Sequence, residues 1–226
     1  MTKKLYNYQE FIRLSKEGKI EYKEIEIPKN ASLLTQKADV NKYIYLIVEG
    51  YVSVFSIDPT SHSKIYSIQS GGSFLNYLTL LDDSSNKFTF KTLSKCTLYQ
   101  YSKENIIYFL SMFPENFGFQ FFIMKNQATH AYLKSIVANC SASNKLIVAF
   151  NNMALLHGTP INDNKVILPQ EIKTSYLLSY SNLSKSCFYK DLTDLKAAKT
   201  IEKQNKNWII ISEELNTRVK EFQESW

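Results

Sequence analysis

The sequence predicts an α+β protein in three stretches: a β-rich front, one long helix, and a rear part ending in short helices and a hairpin. Three observations carry that prediction. Short runs of alternating apolar and polar residues, punctuated by glycine, asparagine and proline, fill most of the first half. Beyond Pro114, a proline-free stretch reaches about Ala138 with apolar residues at steps of three, four and seven. Residues 177–211 then run as apolar stripe, polar turn, apolar stripe, and two strand-like runs around a polar tip.

In the front, residues 5–15 predict an opening helix, with Tyr8, Phe11, Ile12 and Leu14 partly on one side. The period then changes to two. Ile25 and Ile27 alternate with charged residues, and Pro28 and Asn30 end that strand. Residues 43–48 and 51–57 are rich in β-branched and aromatic side chains, and Glu49-Gly50 between them predicts a tight hairpin. A strand over 64–69 is broken by Gly71-Gly72, and alternation returns over 88–93 and 97–101. Many short strands without a long helix predict a sandwich or a barrel.

Pro114 suits a first helical turn, where its missing N–H costs little. From Glu115 to about Ala138 the chain can run as one helix, with Gly118 a mild weakness. Phe117, Phe121, Met124, Ala128, Ala131 and Ala138 trace a heptad-like seam, and Ser135 is its polar gap. A second stripe of Phe122, Ile123 and Leu133 is expected to face the β domain. Packing against a twin helix and burial in a monomer core are both open to such a seam.

The rear begins with an amphipathic helix over 144–156, closed by Gly158 at its C-cap. Thr159-Pro160 and residues 162–164 read as turns before a strand over 166–168. Leu177 and Tyr180 anchor a short helix, and Ser181-Asn182 supplies the turn. A second helix starts near Ser184, whose hydroxyl can accept the free N–H groups of the first turn. Phe188, Leu192 and Leu195 form its apolar stripe, and Lys185, Ser186, Tyr189 and Lys190 occupy the other face. Residues 200–203 and 208–211 flank the tip Gln204-Asn205-Lys206-Asn207, and residues 213–226 close the chain as a helix carrying Leu215, Val219 and Phe222. That is the order of a winged helix-turn-helix, whose second helix enters the major groove of DNA. Two short helices and a hairpin also occur in domains that never touch DNA, and this turn lacks the usual glycine.

Composition narrows the classes. The 226 residues are 44% hydrophobic and 14% aromatic, so a folded globular protein is expected. No run approaches a membrane span, and polar residues follow Met1-Thr2-Lys3-Lys4, so a cytoplasmic protein without membrane contact is expected. The net charge of +6 and pI near 9.0 favour polyanion partners. Between Cys140 and Ile211 nine lysines meet five acids (Asp163, Glu171, Asp191, Asp194 and Glu202), which places basic surplus on the helix-turn-helix and hairpin. Cys96, Cys140 and Cys187 form no CxxC pair, and His62, His130 and His157 are scattered, so neither a cofactor nor a metal is expected. No GxSxG, GxGxxG or GKS motif occurs, and Asp82-Asp83 reads as a solvated turn. A catalytic site is therefore not expected.

The ordered set of elements resembles the Crp/Fnr family of bacterial transcription regulators. Residues 43–55 look like that family's hairpin with Gly50 at its turn, and 72–81 fall where it carries its phosphate-binding segment. Residues 184–195 match its recognition helix in apolar spacing, with Lys185, Ser186 and Lys190 at the base-facing positions. Within the family the nearest resemblance is to PrfA-like regulators, through Gly72-Ser73-Phe74 leading to Leu80-Leu81-Asp82 and through the aromatic segment 117–122. The resemblance implies a cyclic-nucleotide-binding-like β-barrel of the jelly-roll type over 1–113, a dimerisation helix over 114–138, and a winged helix-turn-helix over 139–226.

It also implies a homodimer reading a palindromic operator, with dimer contacts at Phe117, Phe121, Met124, Ala128 and Ala131. DNA would be met by Ser184, Lys185, Ser186, Tyr189, Lys190, Lys203 and Lys206. RNA polymerase and a small-molecule or peptide effector are further candidate partners, the effector near Phe74, Tyr77, Lys125 and Thr129. One departure bears on the effector. Cyclic-nucleotide-binding members carry Gly-Glu-Leu and then an arginine that pairs the cyclic phosphate. Here the span reads Gly72-Ser73-Phe74-Leu75-Asn76, and 84–88 contain no arginine. Control by cyclic AMP is not expected, and the N-terminal cysteines of an iron–sulfur cluster are missing. The alternative is a ligand-binding or protein-interaction module that has lost specific DNA reading, which the arginine-free helix allows.

Overall fold

The computed structural model describes residues 7–33, 42–56, 64–80, 88–112 and 114–224. It divides into two compact units, Met1–His130 and Ala131–Trp226. The division falls inside the long helix.

The first unit begins with helix α1 (Tyr8–Lys16), capped by the Asn7 side chain, which accepts from Glu10 N–H at 3.0 Å. Among the described residues eight strands follow: β1 (Lys23–Ile27), β2 (Ser32–Leu33), β3 (Tyr43–Glu49), β4 (Val52–Ser56), β5 (Lys64–Gln69), β6 (Phe74–Leu75), β7 (Phe88–Thr92) and β8 (Cys96–Ser102). They form two antiparallel sheets, ordered β1-β8-β3-β6 and β2-β7-β4-β5. Helices α2 (Lys103–Met112) and α3 (Phe117–Asn139) come next, joined by a 3₁₀ turn at Pro114–Asn116.

The first sheet is buried on both faces. Ile44, Leu46, Phe74, Tyr99 and Tyr101 pack with Phe11 of α1, Phe109 of α2, and Phe119 and Ile123 of α3. The alternate residues Tyr45, Ile47, Leu75, Cys96 and Leu98 pack with Val52, Val54 and Phe90 of the second sheet. Strands covered on both sides read as continuous apolar runs, which is why four successive residues of β3, Ile44 to Ile47, are all buried.

The predicted hairpin at Glu49-Gly50 is a different feature. β3 pairs with β6 and β8, whereas β4 pairs with β5 and β7, so the chain turns there from one sheet into the other. The step from β7 to β8 does the same beside it, and Tyr51 N–H donates to Ser94 Oγ at 2.9 Å while Leu93 N–H donates to Tyr51 O at 2.7 Å. A short turn with glycine second fits a corner as well as a hairpin; the pairing is decided by which face each strand must bury. Helix α2 is an addition to the elements expected from the sequence. Its signals are Ser102, whose Oγ accepts from Asn105 N–H at 3.0 Å, and the spacing of buried Ile106, Phe109 and Leu110.

The second unit carries α4 (Lys145–His157), β9 (Thr159–Asn162), β10 (Lys165–Ile167), α5 (Thr174–Ser181), α6 (Lys185–Ala197), β11 (Ile201–Gln204), β12 (Asn207–Ile211) and α7 (Glu213–Glu224). Its sheet is ordered β11-β12-β10-β9. Thr159-Pro160, expected as a turn, belongs to strand β9, an edge position where proline removes no needed donor. Gly158 has φ −73°; it is required by space, since a Cβ would meet Ala154 O and Val166 Cγ1 at 2.5 Å. Leu133 does not join the β domain. It lies in the second unit, where its carbonyl accepts from Asn152 Nδ2 at 2.7 Å.

Gly50 combines φ +100° with a site where a Cβ would lie 2.6 Å from Cys96 Sγ and Lys95 O, whereas Gly18 has φ +74° and open space around it. Gly50→Ala is expected to lower the unfolding free energy by about 3 kcal/mol and Gly18→Ala by about 1 kcal/mol, read from urea midpoints. Equal losses would show that crowding at the corner is immaterial.

Candidate nucleic-acid interface

Helix α6 is held by its apolar stripe. Phe188 and Leu192 are buried and Leu195 is half-buried, so the opposite face is turned to solvent. Lys185, Ser186, Tyr189 and Lys190 are all exposed on it, as is Ser184. Ser184 caps the helix, its Oγ accepting from Cys187 N–H at 3.3 Å. The turn before it reverses at Asn182, which adopts φ +59°. Asparagine tolerates that left-handed position, so a glycine is not needed there.

The helix ahead of the turn is fastened from beneath. Tyr180 is buried, and its carbonyl accepts from Lys134 Nζ at 2.7 Å while the same ammonium lies 4.4 Å from the Tyr180 ring centroid. Asn152 Nδ2 also lies 3.3 Å from Tyr180 Oη. A cation at the C-terminal carbonyl of α5 is where the helix dipole favours one.

The wing is β11 and β12. Gln204 pairs with Asn207, so the loop is only Asn205-Lys206, with Asn205 at φ +57°. Asn207 Nδ2 donates to Leu168 O at 2.8 Å, and Trp208 is buried edge-to-face against Phe150 at 5.3 Å. Lys203 and Lys206 are exposed on this hairpin. The nitrogens of Lys203 and Lys196 lie 5.2 and 5.3 Å from the Trp208 ring centroid. Beside them a groove of about 430 Å³ is lined by residues from the start of α5, by Tyr189 and by the wing. The sequence draws Tyr189, Lys203 and Lys206 to this face but not Lys173, Ser175 or Trp208, because their neighbourhood is created only by the fold.

The expected dimer residues share one long helix. Phe117 and Phe121 are 50% and 72% exposed, Ala128 and Ala131 are exposed, and Met124 is half-buried against the aromatic cluster. The expected effector residues are more divided. Phe74 and Tyr77 are 1% and 2% exposed within the cluster around Phe11, whereas Lys125 is exposed and Thr129 half-buried. Burial pushes the Tyr77 phenol up to about 12, so it remains a neutral donor. Gln127 Nε2 donates to Phe74 O at 2.9 Å.

The span 72–81, where the resemblance sets a phosphate-binding segment, contains no arginine. The chain has two arginines. Arg13 on α1 is engaged by Glu10 and Glu17, and Arg218 lies on α7. A Cβ at Gly72 would meet the Tyr8 ring at 2.8 Å, and Asn76 Nδ2 is spent on Tyr43 O at 2.7 Å. Asp82-Asp83 and most of 84–88 lie outside the described residues. Among those described, no cluster of three or more His, Cys, Asp or Glu could hold a metal ion, and no helix is long and apolar enough to cross a membrane.

Residues 24–112 match the cyclic nucleotide-binding domain family. No curated protein matches the chain's sequence. Several solved structures do match in fold. A cyclic nucleotide-binding domain containing protein from Listeria monocytogenes EGD-e is 21% identical, with TM-score 0.75 over 94% of this chain and 99% of that one. FixK2 from Bradyrhizobium japonicum is 10% identical, with TM-score 0.70 over 88% and 96%. A CRP-family transcriptional regulator from Thermus thermophilus is 9% identical, with TM-score 0.63 over 87% and 96%. The chain therefore has the α+β fold of CRP/FNR-type structures, and its front β domain is the part that matches the cyclic nucleotide-binding domain family.

Replacing Ser184 by alanine removes the acceptor for Cys187 N–H. Ser184→Ala is expected to destabilise the second unit by about 1 kcal/mol, with faster amide exchange confined to the first turn of α6. Unchanged exchange at Cys187 would mean that the cap carries no weight.

Proposed function

We propose that this chain is a homodimeric, sequence-specific DNA-binding transcription regulator of the Crp/Fnr type, and not an enzyme. The observation that carries the proposal is the face of α6: Lys185, Ser186, Tyr189 and Lys190 exposed together on a helix whose other side is locked into a core. In the major groove Lys185, Ser186 and Lys190 would meet base edges, while Ser184 and Tyr189 flank them and Lys203 and Lys206 hold phosphates. Lysine is a point charge without arginine's planar fork, so discrimination at guanine is expected to be modest.

The exposed seam of α3 supports pairing with a second copy, which would set two recognition helices about one DNA turn apart. Control would be a population shift in how those helices are presented, with RNA polymerase as the downstream partner. An effector, in the manner of PrfA-like regulators, would meet Lys125 and Thr129 directly and reach Phe74 and Tyr77 only by opening their packing. The absence of an arginine from residues 72–88 speaks against a cyclic nucleotide in that role. The second reading, an interaction module without specific DNA binding, draws on one observation: α6 has no arginine.

Gel shifts on a palindromic operator selected from random duplexes test the first reading. Lys190→Ala should cost about 1–3 kcal/mol on the operator and narrow the gap to random sequence. Lys206→Ala should weaken all sequences alike and reduce the salt slope by about one. Should Lys190→Ala bind as the unsubstituted protein does, this docking of α6 is wrong.

Phe121, 72% exposed, can take a charge without disturbing the core. Phe121→Glu is expected to convert a dimer to monomer in sedimentation at micromolar concentration with its melting curve otherwise cooperative. A dimer that survives the substitution would place the interface elsewhere.

A further inference from the structure

The groove of about 430 Å³ has a composition that base reading by α6 does not require. Its walls carry Lys173 and Ser175 from the start of α5, Tyr189 from α6, and Lys203 and Lys206 from the wing, with Trp208 also among the lining residues. No carboxylate is among the described residues that line it. Among the described residues, none of the three lysines is in an ion pair, so their charge is not neutralised locally. Converging cations in a concavity focus positive potential far more than the same charges on a convex surface. Trp208 is 1% exposed, and its indole Nε1 has no hydrogen-bond partner among the described residues. The volume falls in the range of small-molecule sites, with Tyr189 and Trp208 among the lining residues and donors around them.

We propose that this groove binds a small phosphomonoester carrying a flat ring, a molecule of mononucleotide size. The phosphate would be held by Lys173 and Lys206 with the Ser175 hydroxyl, and the ring would lie against Tyr189, which is 47% exposed. Tyr189, Lys203 and Lys206 are also residues assigned above to the duplex, so ligand and DNA would exclude one another. That exclusion rests on the proposed DNA contact; the ligand site itself does not. The same phosphate chemistry is present in a DNA backbone, and the test separates the two sources.

The chain has two tryptophans, so Trp226→Phe leaves Trp208 as the sole indole reporter in it. Adenosine monophosphate, inorganic phosphate and a non-operator duplex are titrated separately, with fluorescence and calorimetry as readouts. Adenosine monophosphate is expected to give a saturable change that Lys173→Ala with Lys206→Ala weakens by at least about tenfold. It should also displace bound duplex in a gel shift. Absence of a saturable response to adenosine monophosphate overturns the proposal, and so does a response indifferent to the two substitutions. A response to duplex alone assigns the groove to the DNA backbone and likewise overturns it. If adenosine monophosphate binds as expected and no duplex binds, the ligand site stands and the regulator reading falls.

Discussion

The front of the molecule depends on the ring of Phe11. It meets Phe74, Tyr101, Phe109 and Phe119 edge-to-face at centroid distances of 5.1 to 5.6 Å. Those four rings come from β6, β8, α2 and α3, so one side chain of α1 ties together the back of a sheet and two helices. Each such contact contributes about 0.5–1.5 kcal/mol beyond the area buried. The arrangement forces the first sheet to be apolar on its outer face as well as its inner one. It also explains why the start of α3 is committed: Phe119 and Ile123 serve this cluster, which leaves Phe117 and Phe121 on the outside.

The rear unit solves a different problem, that of presenting polar side chains rigidly. Lysines on a mobile helix would lose entropy on every contact, and rigid support lowers that cost. Phe188 and Leu192 fix the rotation of α6, and the Lys134–Tyr180–Asn152 contacts fix the helix before it. The wing is anchored by Trp208 and by Asn207. The cationic side chains themselves are exposed.

Legibility from sequence follows the range of the forces involved. Most of the strands, the long helix, the cap at Ser184 and the stripe on α6 are set by neighbours within a turn or a pleat, and these stand where the pattern places them. The corner at Gly50 reads as a hairpin because glycine reports a reversal of the chain, not the partner that each strand takes afterwards. β9 is hidden by Pro160, which breaks interior strands but suits an edge. Asn182 shows the converse: a turn without glycine forms because asparagine can occupy φ +59°.

What this sequence determined alone is the inventory: short strands, a heptad-spaced helix, and a capped helix with lysines opposite its apolar stripe. Periodicity and capping are local, so residues only a few positions apart suffice to specify them. Only the tertiary structure decided which strands share a sheet, that Phe11 would join five elements, and that Lys173 and Ser175 would stand beside Lys203 and Lys206. Those juxtapositions come from burying faces far apart in the chain, and no local pattern records which distant face will be chosen.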